Sequence, residues 1–257
     1  MQINRQNALQ AFADYVKNYN AEDPKVKLKI DHTYRVADFC QEIARSAGLS
    51  QEDTDLSWFC GLLHDVGRFE QLRNYGTFVD AQSIDHAMYG AEILFDHGRI
   101  RDYVEDCSED VFLRKVVSCH SAYRIPEDYD ERTVLFANIL RDADKIDILR
   151  VNVETPLEEI YNVSTDVLRS DSVTPAVLQA FLEGHTVLRA LKRTSVDNVV
   201  GHISLVYELV FPISLHMVKE QKYLDRLMEF ESDNPDTGED FVLIRQRMAE
   251  YLAEKLK

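Results

Sequence analysis

The residues that could do chemistry are imidazoles and carboxylates: His32, the adjacent pair His64-Asp65, His86, His120 and Asp144. Each falls in a stretch whose apolar residues repeat at helical spacing. Imidazole and carboxylate together suit a borderline or hard divalent cation such as Mn, Fe, Co, Ni, Zn or Mg. The chain has no Cys-x-x-Cys pair, which argues against a structural thiolate zinc site. Four helices that each turn a His or Asp inward would build a metal site in the core of a bundle.

The pair sits in Gly61-Leu62-Leu63-His64-Asp65-Val66-Gly67-Arg68. Helix neighbours differ by about 100° in direction, so both side chains face one centre only near a helix end or with the ion between helices. Gly67 marks the expected end of this helix. A charged Asp beside Leu62 and Leu63 is costly unless something neutralises it, and a metal ion would. In Arg141-Asp142-Ala143-Asp144-Lys145-Ile146-Asp147, Asp144 and Asp147 share a helix face and Ala143 leaves room for close approach.

The elements that must position these groups read as helices throughout. Ala8, Leu9, Phe12, Tyr15, Val16 and Tyr19 mark a first helix, and Val36 to Ala47 a second stopped by Gly48. Ser50 caps a third, with Glu52 and Asp53 in its first turn. Arg73 to Thr77 reads as a loop. Ser83 is the expected cap of a helix that His86 opens and that runs towards Gly98, and Ser108 the cap of one carrying Val116, Val117 and His120. Thr133 to Val151 is helical, and Thr174-Pro175 starts a helix that ends at Gly184. Residues 195–222 predict one long helix kinked at Pro212. Residues 232–238 read as a loop before a last amphipathic helix. With no alternating strand, repeat or linker, the expectation is an all-α fold in one domain over 1–257, with a metal-ligand core of about 28–150 and a helical extension of about 155–257.

Composition narrows the partners. Of 257 residues, 45% are hydrophobic and 29% charged, and the net charge is -16. That surface repels phosphate backbones and anionic lipid, so bulk nucleic acid and membranes are not expected partners. The stretch from Ile203 to Val218 is too short and interrupted to span a bilayer. Cys40, Cys60, Cys107 and Cys119 read as reduced thiols, and Met1 to Asn7 lacks a signal-peptide core, so the expected location is cytoplasmic.

His32, then Leu62-Leu63-His64-Asp65-Val66-Gly67-Arg68, then Ala143-Asp144-Lys145-Ile146-Asp147 resembles the HD-domain superfamily of metal-dependent phosphohydrolases. The resemblance covers roughly residues 28–150 and implies an all-α HD-domain helical bundle with a C-terminal helical extension. It implies that His32, His64, Asp65 and Asp144 hold a first divalent ion. His86 and His120 fall where two-metal members hold a second, with Asp65 as the bridge. His120 stands alone between Cys119 and Ser121, unlike the cyclic-dinucleotide phosphodiesterase branch. The segment after the pair also lacks the acidic pair of the guanosine-alarmone hydrolases and the His-Pro of mammalian-type cyclic nucleotide phosphodiesterases.

A bound ion lowers the pKa of its water towards about 7. The expected activity is therefore attack of metal-bound hydroxide on a phosphomonoester or phosphodiester of a small molecule such as a nucleotide. Asp65 and His64 would be central to it, and Arg68 and Lys145, next to ligand positions, would contact phosphate. Asp147 or Glu70 would orient a ligand histidine. Two other readings use the same ligands: an HD-fold di-iron oxygenase, and a non-catalytic metal- and nucleotide-binding sensor. His97, His185, His202 and His216 read as ordinary surface or core residues.

Overall fold

Helical apolar spacing becomes helix along the whole chain, and no strand forms. The computed structural model describes residues 1–257. Two compact units follow one another, Met1–Asp144 and Lys145–Lys257.

In the first unit, α1 (Arg5–Val16) starts where the Asn4 side chain accepts from the Asn7 amide. Asp23 and Pro24 start α2 (Pro24–Ser46), and Ser50 caps α3 (Gln51–Leu63) through the Asp53 amide. Next come α4 (Val66–Tyr75), α5 (His86–Ala91), α6 (Asp110–Ser118) and α7 (Glu131–Glu154). The most extensive helix pair is α2 with α3. α2 buries Val36, Ala37, Cys40, Ile43 and Ala44, and α3 buries Leu56, Phe59, Cys60, Leu62 and Leu63.

Several boundaries differ from the sequence reading. α4 continues to Tyr75, through most of the expected loop, and ends at Gly76 in the left-handed region. The cap of α5 is Asp85, whose carboxylate accepts from the amides of Ala87 and Met88, while Ser83 lies outside the helix. α5 does not reach Gly98 as regular helix, because residues Glu92–Asp96 widen into a π turn. Ser108 is not the cap either: the N-cap of α6 is the next residue, Glu109, which makes no side-chain cap bond.

The second unit holds the end of α7, then α8 (Leu157–Tyr161), α9 (Thr165–Ser170), α10 (Pro175–Leu182), α11 (Val196–Ser204), α12 (Pro212–Gln221), α13 (Tyr223–Met228) and α14 (Pro235–Lys255). Its core includes Phe181, Val200, Ile203, Phe241, Ile244 and Met248. The buried Asp197 carboxylate accepts from the amides of Thr174, Arg193 and Thr194, tying three segments together. The expected long helix over 195–222 is broken rather than kinked. α11 tightens into a 3₁₀ turn, and Pro212 starts a new helix where its missing N–H costs nothing. Pro235 likewise starts α14 behind the Asn234 cap, inside the stretch read as a loop.

The division between the two compact units falls inside α7, between Asp144 and Lys145. A continuous helix crosses it, so no linker marks it in the sequence. No helix is long and apolar enough to cross a membrane.

Candidate metal centre

α3 ends at Leu63, so His64 is its last, half-helical residue and Asp65 precedes α4. This junction is what lets two adjacent side chains face one centre. Gly67 does not end the helix as expected; it lies inside α4. Two close approaches set the surrounding helices. A Cβ on Gly61 would lie 2.6 Å from Ala37 Cα on α2, and one on Gly67 would lie 2.2 Å from the His86 carbonyl oxygen at the start of α5. Glycine at both positions brings α2 and α5 near the junction from either side.

All six sequence candidates come together in the first unit. His32, His64, Asp65, His86 and His120 are buried, and Asp144 is partly so. His32 Nε2 lies 3.3 Å from His64 Nε2, and 3.1 Å from Asp144 Oδ1. His86 Nε2 lies 3.1 Å from His120 Nε2. Asp65 stands between the two pairs. Its Oδ2 is 3.6 Å from His32 Nε2 and 3.5 Å from His64 Nε2, while its Oδ1 is 3.6 Å from His86 Nε2 and 3.8 Å from His120 Nε2. His120 is not on α6 as expected but in the turn beyond it.

The rings are held by their other nitrogens. His64 Nδ1 donates to the Gly61 carbonyl at 2.7 Å, and His120 Nδ1 to the Val117 carbonyl at 2.8 Å. His86 Nδ1 donates to Asp80 Oδ2 at 2.7 Å. A carbonyl oxygen only accepts, so each such Nδ1 carries the ring's proton and Nε2 is left with a lone pair. Asp80 is the orienting carboxylate, and sequence reasoning missed it. The only sequence signal was its place six residues before His86. Asp147 pairs instead with Arg150 at 2.8 Å, and Glu70 with Arg73 and Tyr19.

Burial lowers the His64 imidazole, and lowers His86 and His120 to about 4, so all three are neutral at pH 7. Burial would raise Asp65, but Lys29, His64, Arg68 and His86 outweigh it and hold its carboxyl well below the usual range. Asp144 is also lowered, the hydrogen bond from His32 overcoming burial. Lone pairs from two facing, neutral imidazoles repel across 3.1 Å unless a cation lies between them. The donor set therefore fits divalent ions. Ligand atoms of His32, His64 and Asp144 lie within 4.8 Å of one another, as do those of His64, Asp65 and His120.

Three cationic side chains complete the description. Lys29, one turn before His32 on α2, donates to Asp65 Oδ2 at 2.7 Å; its spacing from His32 was the available signal, and the sequence reading passed over it. Arg68 is held by Gln71, the Phe78 carbonyl and Asp80, so it braces the 78–80 segment. Lys145 pairs with Glu208 at 3.0 Å in the second unit. Of the expected surface or core histidines, His97, His185 and His216 are exposed, and His202 contacts the Tyr161 hydroxyl at 3.3 Å.

An all-α bundle whose core gathers imidazoles and carboxylates around the helix junction at His64-Asp65 defines a class of metal-binding helical domains. Residues 30–149 match the family model for the HD domain, which supports placing this segment in the HD-domain superfamily. HD domains bind divalent metals, and most members of the family are metal-dependent hydrolases. Neither the curated proteins nor the solved structures contain a significant match.

Proposed function

We propose that this protein is a metal-dependent phosphohydrolase acting on a small phosphorylated molecule such as a nucleotide. One observation carries the reading: the two oxygens of Asp65 face separate histidine pairs, His32 with His64 and His86 with His120. His32, His64, Asp65 and Asp144 would hold one ion, and Asp65, His86 and His120 a second. Such ions supply a nucleophile from water at neutral pH and neutralise charge developing on phosphate oxygens.

The chain's own groups have separate tasks. The hydrogen bonds from His64, His86 and His120 to Gly61, Asp80 and Val117 fix the rings with Nε2 bare. Lys29 pairs with Asp65; with divalent ions held at that carboxylate, its ammonium would be free to bind a phosphate oxygen. A local cation of this kind lets an anion approach a chain of net charge -16. Arg68 acts by holding Asp80 and the Phe78 carbonyl, and Lys145 serves within its pair with Glu208.

The test combines elemental analysis with a phosphate-release screen over nucleotides and sugar phosphates in Mn, Co, Ni, Zn or Mg. Release that disappears in Asp65→Ala, with the fold intact by circular dichroism, supports the reading. Full activity in that variant sinks it, as does as-isolated iron with substrate-dependent oxygen uptake.

A further inference from the structure

His120 differs from the other candidate ligands because it lies in the turn after α6, where no helix ladder holds it. Something else must fix this turn. The guanidinium of Arg141, on α7 one turn before Asp144, reaches into it. Nη1 donates to the carbonyls of Cys119 at 3.3 Å and His120 at 3.2 Å, and also to that of Ala122. Nη2 donates to the Tyr123 carbonyl at 3.4 Å. Arg141 is only 7% exposed. A buried guanidinium presents donors in a rigid fork, which suits several fixed carbonyls better than a lysine's single ammonium does.

Resting on the proposed two-ion reading, we infer that Arg141 is a positioning residue for the second ion, clamping the 119–123 turn so that His120 Nε2 meets His86 Nε2 across Asp65 Oδ1. One stretch of α7 then serves both halves of the centre: Asp144 supplies a carboxylate beside His32 and His64, and Arg141 holds the imidazole opposite. His32 and His64 sit on or at the end of long helices and do not depend on the clamp.

The experiment is calorimetric titration of metal-free protein with Mn²⁺ alone, on the wild type, Arg141→Met and Arg141→Lys, with His120→Ala as the reference for a lost second site. The wild type takes up two ions. Losing an outer hydrogen-bonding partner weakens metal affinity by about 10–100-fold. That loss is expected at the second ion in Arg141→Met, with the first ion held to within about threefold. Arg141→Lys falls between the two, and serves alone if the methionine variant does not fold. Unchanged affinity for both ions overturns the inference, and so does equal weakening of both, which indicates general loosening of the fold. A wild type that binds fewer than two ions, with His120→Ala identical to it, overturns the two-ion reading underneath.

Discussion

Gly67 on α4 and Gly90 on α5 meet backbone to backbone: a Cβ added to Gly67 would lie 2.6 Å from Gly90 N and 2.2 Å from the His86 carbonyl oxygen. This crossing sets the distance between Asp65, two residues before Gly67, and His86 at the start of α5. Neither helix can move closer, and any side chain at Gly67 forces them apart.

Gly67→Ala is therefore expected to cost about 1–3 kcal/mol, the usual penalty for overpacking, and to weaken Mn²⁺ binding. Gly238→Ala is the contrasting case. It lies within α14 and an added Cβ meets nothing within 4 Å. Replacing an unhindered helical glycine there should stabilise by about 0.5–1 kcal/mol. Urea unfolding of both variants checks the pair; equal effects at the two positions would contradict the packing argument.

Acid should destabilise the metal-free protein before its carboxylates titrate. Burial lowers His64, and puts His86 and His120 at about 4, whereas an unfolded imidazole titrates near about 6.5. The unfolded chain takes up protons first, so the rings' contribution to stability is whole above about pH 6.5. It falls as pH drops towards about 4 and changes little below that. For His86 and His120 the loss is on the order of 3 kcal/mol each. Asp65, Asp80 and Asp144 are lowered, so their share is lost only at more acid pH. Unfolding in EDTA from pH 7.5 to 4.5 tests this: the midpoint should fall steadily, and less steeply in His120→Gln. A flat profile contradicts it.

Asp80→Ala removes the acceptor of the His86 Nδ1 proton, 2.7 Å away. Affinity for the second ion should drop by about 10–100-fold, with the first ion little changed. Arg68 and Gln71 also lose a partner at Asp80, adding roughly 1–3 kcal/mol of destabilisation. Titration with Mn²⁺ followed by thermal melting separates the two effects. Unaltered second-ion affinity would show that Asp80 does not set the ring.

Lys29→Met frees Asp65 Oδ2 from its ammonium partner. Ion uptake should tighten, because no resident cation has to be displaced, while KM for an anionic substrate rises and kcat changes less. That split is the signature of lost uniform binding. A fall in kcat at constant KM would assign Lys29 to the chemical step instead.

The sequence alone determined that the chain is all-α, and it marked His32, His64, Asp65, His86, His120 and Asp144 as candidates for one site. Helical periodicity is local, and an imidazole or carboxylate among apolar neighbours signals its own cost of burial. Only the tertiary structure decided the rest. The reach of Arg141 to the 119–123 turn, the bond of Asp80 to His86, the salt bridge of Lys29 to Asp65 and the Gly67–Gly90 contact each join separate segments of chain. Periodicity says which face of a helix is buried but not which helix will cover it. The same limit explains the missed break before Pro212 and the cap at Asp85. Whether a helix stops or bends, and which of two nearby polar residues caps it, depends on where the following segment must pack.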